Sequence, residues 1–126
     1  MNKKVLVIDD DESSREVMGL YFTSMGFDVA QAKNGKEAID LMKKEPFHLL
    51  FLDLAMPVMT GEELMIQMAQ DPVLQKIPII IDTAQGAGIG RLAKMEKQFE
   101  GKLRYLAFTR PGSVANLEEH VKKLLG

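Results

Sequence analysis

The sequence LLFLD at residues 49–53 joins an unbroken apolar run to a single carboxylate, Asp53. Apolar residues without alternation are typical of a strand that is buried on both faces of a parallel sheet. A charged residue at the end of such a run is seldom buried unless it has a partner. We therefore predict a buried strand that delivers Asp53 to one edge of a sheet.

Four other runs extend this pattern along the chain. Three are apolar throughout or nearly so, namely Val5–Ile8, Ile79–Ile81 and Leu103–Phe108, and the last is interrupted by Arg104. The fifth run, Phe27–Ala32, alternates apolar with polar residues, as an edge strand does. Segments with helical spacing of apolar residues separate the runs. Alternating strands and helices predict an α/β fold with an open, doubly wound sheet of five parallel strands and five helices.

The bulk composition limits the function classes. The chain has 126 residues, 46% of them hydrophobic, which fits one domain over residues 1–126 with one core. Its formal charge of −2 and the absence of a basic stripe argue against direct nucleic-acid binding. The apolar runs are too short to span a bilayer, and the start MNKKVLVIDD turns acidic before a signal-peptide core could form. We expect a cytoplasmic protein without cysteine chemistry.

Polar side chains follow the apolar runs, at the positions where strands of this fold bind ligands. Asp9, Asp10 and Asp11 follow the first run, and Asp53 ends the third. Thr83 follows the fourth, and Arg110 follows the fifth. Carboxylates gathered at one edge repel each other unless a cation joins them, and a few oxygen ligands suit Mg²⁺.

The same set of side chains could transfer a phosphoryl group. A carboxylate can attack phosphorus and form an acyl phosphate. Mg²⁺ held by Asp9 and Asp10 would neutralise charge, while the Thr83 hydroxyl and the Arg110 guanidinium could donate hydrogen bonds to phosphoryl oxygens. The residues at the strand ends thus predict a phosphoryl acceptor, a metal site and hydrogen-bond donors to the phosphoryl oxygens.

Several spaced motifs resemble one family. These are Asp9-Asp10, Asp53 followed by Met56-Pro57 and Gly61, Thr83-Ala84, and a basic residue before Pro111. In this order they closely resemble the response-regulator receiver family, in particular its single-domain members of the chemotaxis-regulator type. The resemblance implies a flavodoxin-like strand order of 2-1-3-4-5. It also implies that Asp53 is the phosphoacceptor, that Thr83 is the switch residue, and that Mg²⁺ is held by Asp9, Asp10, Asp53 and the Ala55 carbonyl.

The resemblance also implies partners. A sensor histidine kinase or a histidine phosphotransfer protein would supply the phosphoryl group. A downstream protein would bind the face formed by the fourth predicted helix, the fifth strand and the fifth predicted helix. We expect a monomer or weak dimer that catalyses only its own phosphorylation and dephosphorylation and is not otherwise an enzyme.

The chain departs from the family pattern at three places. Arg110 stands where the family has lysine, and Ala107 stands where it has an aromatic residue. The stretch between Thr83 and Arg110 is longer than usual, and we expect a glycine-rich loop followed by a helix at residues 84–102. Arg110 and Ala107 favour one alternative, a pseudo-receiver that acts by protein contacts without phosphorylation.

Other interpretations stay open for single features. Gly86, Gly88 and Gly90 invite a nucleotide-binding enzyme of similar fold, but the third glycine comes one residue too early for the dinucleotide fingerprint. The residues from Asp10 to Glu12 could merely cap a helix. Strand alternation turns Asp82 away from Thr83, so we assign it no metal role.

Overall fold

Each of the five runs forms a strand of one parallel sheet. The computed structural model describes residues 2–53, 61–84, 101–110 and 114–126, and for residues 83–84, 107–110 and 114–115 it describes the main chain alone. The sheet order β2-β1-β3-β4-β5 confirms the predicted flavodoxin-like order and puts the alternating run at an edge. The strands are β1 (Lys4–Ile8), β2 (Asp28–Ala32), β3 (Leu49–Asp53), β4 (Ile79–Ala84) and β5 (Tyr105–Arg110).

Helices connect the strands. Within the described residues they are α1 (Glu12–Ser24), α2 (Gly35–Lys44), α3 (Gly61–Ala69) and α4 (Val114–Leu125), with a 3₁₀ turn at Leu74–Lys76. The C-terminal helix α4 corresponds to the fifth predicted helix. The glycine-rich loop and the fourth predicted helix fall mainly on residues 85–100, outside the described residues. No helix in the described ranges is both long enough and apolar enough to cross a bilayer.

Alternating side chains of the strands divide the core between the two faces of the sheet. Leu50 and Leu52 point into a mostly aliphatic cluster with α2 and α3. Leu49 and Phe51 point into a second cluster with α1 and α4. There, Phe22 of α1 packs edge-on against Phe51, with ring centroids 5.5 Å apart. Such a pair contributes about 0.5–1.5 kcal/mol beyond the stabilisation that comes from its buried area. This contact therefore helps to hold α1 on the centre of the sheet.

The register brings the ends of the central strands level with one another. Asp53 of β3 lies beside Asp82 of β4. Thr83 lies beside Thr109 of β5, and Ala84 lies beside Arg110. Because all five strands are parallel, their carboxyl ends meet at one edge, as the sequence predicts.

Candidate metal centre at the carboxyl edge of the sheet

Three carboxylates meet at this edge. Among the described residues, Asp9, Asp10 and Asp53 offer carboxylate oxygens that all lie within 4.8 Å of one another. Asp9 is buried, with 4% of its surface exposed, whereas Asp53 is half-buried and Asp10 is exposed. The cluster therefore runs from the interior of the protein to its surface and is accessible from solvent.

Asp9 is held by the turn that joins β1 to α1. Its main-chain N–H donates to the carbonyl of Ala32 at 3.1 Å, which continues the pairing of β1 with β2 by one residue. Its carboxylate oxygen Oδ1 accepts the N–H of Asp11 at 2.9 Å. Asp11 in turn caps α1, because its Oδ2 accepts the N–H of Ser14 at 3.3 Å. The buried carboxylate is thus fixed by local main-chain bonds.

Arg15 also holds this turn, and sequence reasoning missed it. The guanidinium Nη1 donates to the carbonyl oxygen of Asp9 at 2.9 Å. The Nε atom donates to Oε1 of Gln31 on β2 at 3.4 Å. Arg15 lies one turn inside α1 and has no unusual spacing, so no sequence pattern pointed to it.

Asp82 also lies at this edge of the sheet. The alternation that turns it away from Thr83 puts it on the same face of the sheet as Asp53, its neighbour in register. It is a buried carboxylate, with 4% of its surface exposed. The described group of closely spaced carboxylates consists of Asp9, Asp10 and Asp53, and the absence of a metal role for Asp82 stays a prediction. Its carboxyl group nevertheless lies at the same edge.

The other predicted site residues are described only in part. Thr83 is the last residue but one of β4 and Arg110 is the last residue of β5 at this edge, but only their main chain belongs to the described residues, as is true of Ala107. Ala55, Met56, Pro57 and Pro111 lie outside the described residues, and Gly61 begins α3. The roles assigned to these residues therefore stay predictions.

The donor set suits a hard dication. It consists of oxygen atoms only, with few carboxylates, and one of them is exposed. Mg²⁺ prefers such a set because it keeps several of its waters and shares its shell with phosphate. A cation would also relieve the repulsion among three carboxylates at this spacing. The residues present fit Mg²⁺ by this chemistry.

Comparison with known proteins identifies the family. The sequence model of the family described as response regulator receiver domain matches residues 5–104. The chain belongs to the response regulator receiver family. It is 32% identical to sporulation initiation phosphotransferase F of Bacillus subtilis over 126 residues, which cover 99% of this chain and 95% of that protein. Other curated relatives are longer, and the chain spans only 39–48% of their length.

Solved receiver structures agree with this family assignment. The chain superposes on the chemotaxis protein CheY4 of Vibrio cholerae with a TM-score of 0.83 and 26% identity, covering 99% of this chain and 100% of that one. The receiver domain of the sensor histidine kinase PA1611 of Pseudomonas aeruginosa gives a TM-score of 0.84 at 18% identity, with 100% and 99% covered. In that structure a magnesium ion is coordinated in the active site cleft.

Family membership confirms the predicted class of function. The chain is a response regulator receiver domain, a signalling protein of two-component systems and not a metabolic enzyme. Receiver domains bind Mg²⁺ at an acidic pocket and interact with histidine kinases or phosphotransfer proteins. This chain has a cluster of acidic residues, Asp9, Asp10 and Asp53, at the carboxyl edge of its sheet.

Proposed function

We propose that this receiver is cytoplasmic and accepts a phosphoryl group on Asp53 from a phosphohistidine of a sensor histidine kinase or a histidine phosphotransfer protein. The observation that carries the proposal is the convergence of Asp9, Asp10 and Asp53, from two strand ends, within 4.8 Å. Asp53 is half-buried at the end of the apolar strand β3, so its carboxylate is both held in place and accessible.

Mg²⁺ would be held by the carboxylates of Asp9, Asp10 and Asp53 and by the main-chain carbonyl of Ala55. When bound, it would neutralise the carboxylates and the incoming phosphoryl oxygens, which otherwise repel each other. Asp9 is suited to this role because burial and the N–H of Asp11 fix the direction of its carboxylate. Asp10 is exposed, so it can join a metal that keeps waters on its open side.

Asp53 is the nucleophile in this reaction. One of its carboxylate oxygens attacks the phosphorus in line with the bond between phosphorus and the imidazole nitrogen. The new phosphorus–oxygen bond forms as the phosphorus–nitrogen bond breaks, and the imidazole leaves with a proton taken from solvent. The product is an acyl phosphate on Asp53, so the protein catalyses only its own modification.

Thr83 and Arg110 are the proposed hydrogen-bond donors to the phosphoryl oxygens. The support is their position, because both lie near the carboxyl ends of strands that reach the same edge as Asp53. Arginine keeps the charge of the usual lysine and can bind phosphate through two N–H groups. Movement of Thr83 towards the phosphate would shift a two-state equilibrium and change a surface that a downstream protein reads.

Intact-mass analysis tests the acceptor. The chain is incubated with a small phosphoryl donor, with Mg²⁺ or with a chelator, beside Asp53→Asn and Asp40→Asn variants. Asp40 is an exposed carboxylate on α2 and serves as the matched control. We expect one phosphoryl adduct, which forms only with Mg²⁺. It should form on the Asp40→Asn variant and be absent from the Asp53→Asn variant. A folded protein without an adduct in any sample would instead favour the phosphorylation-independent pseudo-receiver.

Two further variants test the proposed hydrogen-bond donors to the phosphoryl group. Arg110→Ala should slow formation of the adduct by about tenfold to a hundredfold, because it removes a charge-assisted donor. Thr83→Ala should leave phosphorylation largely intact but abolish the change in partner binding that follows it. If Arg110→Ala leaves both the rate and the response unchanged, the acceptor stands but the role of Arg110 does not.

A further inference from the structure

The main chain of Asp9 is anchored on both sides. Its N–H donates to the carbonyl of Ala32, and its carbonyl accepts from the guanidinium of Arg15 at 2.9 Å. This carbonyl belongs to the peptide unit that joins Asp9 to Asp10. Since a peptide unit is planar, fixing its oxygen also fixes the direction in which the main chain enters Asp10.

Arg15 is itself held by its own helix and by the neighbouring strand β2. Its N–H donates to the carbonyl of Asp11 at 3.0 Å as part of α1. Its Nε reaches across to Gln31 on β2. A β-carbon at Gly19, one turn further along α1, would lie 3.5 Å from Nε2 of Gln31, so α1 passes close to the Gln31 side chain. The guanidinium therefore links α1, β2 and the end of β1.

The two acidic residues depend on this link to different degrees. Asp9 is buried, and its carboxylate is already fixed by the N–H of Asp11. Asp10 is exposed, so packing does not hold its side chain, and its direction depends on the main chain that precedes it. Any rotation of the peptide between the two residues would separate their carboxylates.

We propose that Arg15 is a positioning residue for the acidic site. It holds the carbonyl of Asp9, and through that peptide it keeps the Asp10 carboxylate within reach of Asp9 and Asp53. This role rests on the proposed Mg²⁺ site. Residues that orient metal ligands from outside the coordination shell commonly change metal affinity by about tenfold to a hundredfold when they are removed.

The sign of the effect separates positioning from simple electrostatics. Arg15 is a cation close to a site for a dication, so its charge alone opposes Mg²⁺ binding. If Arg15 acted only through its charge, removing it would tighten Mg²⁺ binding. If it acts by holding the peptide, removing it weakens Mg²⁺ binding despite the lost repulsion.

The experiment compares Arg15 with Arg104, which makes the same kind of contact elsewhere. Arg104 precedes β5, at the amino end of the sheet, and its Nη2 donates to the main-chain carbonyl of Leu124 on α4. Mg²⁺ titrations by calorimetry are made on the full chain and on Arg15→Ala, Arg15→Gln, Arg15→Lys and Arg104→Gln. Thermal unfolding without Mg²⁺ shows whether each variant is folded.

We expect Arg15→Ala and Arg15→Gln to weaken Mg²⁺ binding about tenfold. Arg15→Lys should recover part of the loss, because an ammonium can donate to the Asp9 carbonyl but cannot also reach Gln31. Arg104→Gln should lower the stability and leave the Mg²⁺ affinity unchanged. Should Arg15→Ala fail to fold, Gln31→Ala takes its place, with a loss of about twofold to threefold, since it removes one longer hydrogen bond.

The outcomes distinguish this inference from the proposed function. A wild-type chain that binds Mg²⁺ and is phosphorylated on Asp53, with Arg15 variants that bind Mg²⁺ equally or more tightly, overturns the positioning role alone. A wild-type chain that binds no Mg²⁺ overturns both. Equal losses of Mg²⁺ affinity in Arg15→Gln and Arg104→Gln would show a general loss of stability and would also overturn the positioning role.

Discussion

Two strand-to-helix turns at the same edge of the sheet use similar capping chemistry in different settings. Asn34 caps α2 after β2, with its Oδ1 accepting the N–H of Glu37 at 2.8 Å. Asp11 caps α1 after β1 with a longer contact of 3.3 Å. The turn after β2 needs one neutral amide, whereas the turn after β1 brings three consecutive carboxylates. Capping therefore explains Asp11 but gives no reason for Asp9 and Asp10.

The turn after β2 also balances its own charge. The Glu37 carboxylate accepts the N–H of Lys33 at 2.9 Å and lies 3.8 Å from the Lys33 ammonium. In the turn after β1, the guanidinium of Arg15 binds a main-chain carbonyl. The difference fits the proposed Mg²⁺ site, which uses the negative charge of the turn after β1.

The largest expected effect comes from removing one charge from the first turn. Asp10→Asn should weaken Mg²⁺ binding by about tenfold or more, because an amide oxygen coordinates without a negative charge. Calorimetric titration measures the affinity, with Asp40→Asn as the control for loss of an exposed carboxylate. Unchanged affinity in Asp10→Asn would remove Asp10 from the proposed metal site and erase the contrast between the turns.

The second effect compares the two caps directly. Asn34→Ala and Asp11→Ala should each lower the free energy of unfolding by about 1 kcal/mol, since each removes one capping acceptor. Asp11→Ala should change the Mg²⁺ affinity by no more than about threefold, because the N–H that holds Asp9 belongs to the main chain and is kept. Denaturant unfolding and Mg²⁺ titration of both variants provide the two numbers. A Mg²⁺ affinity lost in Asp11→Ala would make Asp11 a metal ligand instead of a cap.

A smaller effect tests how closely α1 packs on β2. Gly19→Ala should raise the free energy of unfolding by about 0.5–1 kcal/mol, because alanine favours the helix over the unfolded chain. The added β-carbon would lie 3.5 Å from Nε2 of Gln31 and 3.6 Å from Cγ1 of Val29, which are ordinary contact distances. Thermal unfolding measures the change. A loss of stability would mean that the glycine is needed for close packing beside Arg15.

The smallest effect concerns the ion pair of the second turn. Lys33→Gln should lower the free energy of unfolding by no more than about 0.5 kcal/mol, because both side chains are exposed to water. Unfolding at low and high salt separates the pair from other effects, since only the low-salt value should change. A larger loss at both salt concentrations would show that Lys33 supports the turn by packing and not by charge.

The sequence was sufficient to predict most of the fold. Central strands are buried on both faces, so β1, β3 and β4 appear as continuous apolar runs, and the edge strand β2 alternates. The positions of the strand ends were predicted less accurately. β3 extends to Asp53, one residue past its apolar run, and β4 extends to Ala84, past the apolar run that ends at Ile81. The cause is that main-chain pairing continues through the polar residues at the carboxyl edge, where apolar patterning no longer marks a strand.

The candidate site could be predicted in part. Parallel strands bring their carboxyl ends together, so the meeting of Asp9, Asp10 and Asp53 followed from their positions. The role of Arg15 could not be predicted, because its partner is a main-chain carbonyl, which every residue carries. Strand alternation turns Asp82 away from Thr83, and the same alternation places it beside Asp53, a contact that depends on the register of β3 and β4.

The acidic cluster is assembled from distant segments of the chain, and this affects the rates of folding and unfolding. Asp9 and Asp53 are separated along the chain by α1, β2 and α2, and they meet only where β1 pairs with β3. A cation that needs all three carboxylates has no site in a partly formed sheet, where long-range pairing is incomplete. Mg²⁺ should therefore slow the unfolding rate while hardly changing the folding rate, so occupancy of the cluster lengthens the lifetime of each native molecule.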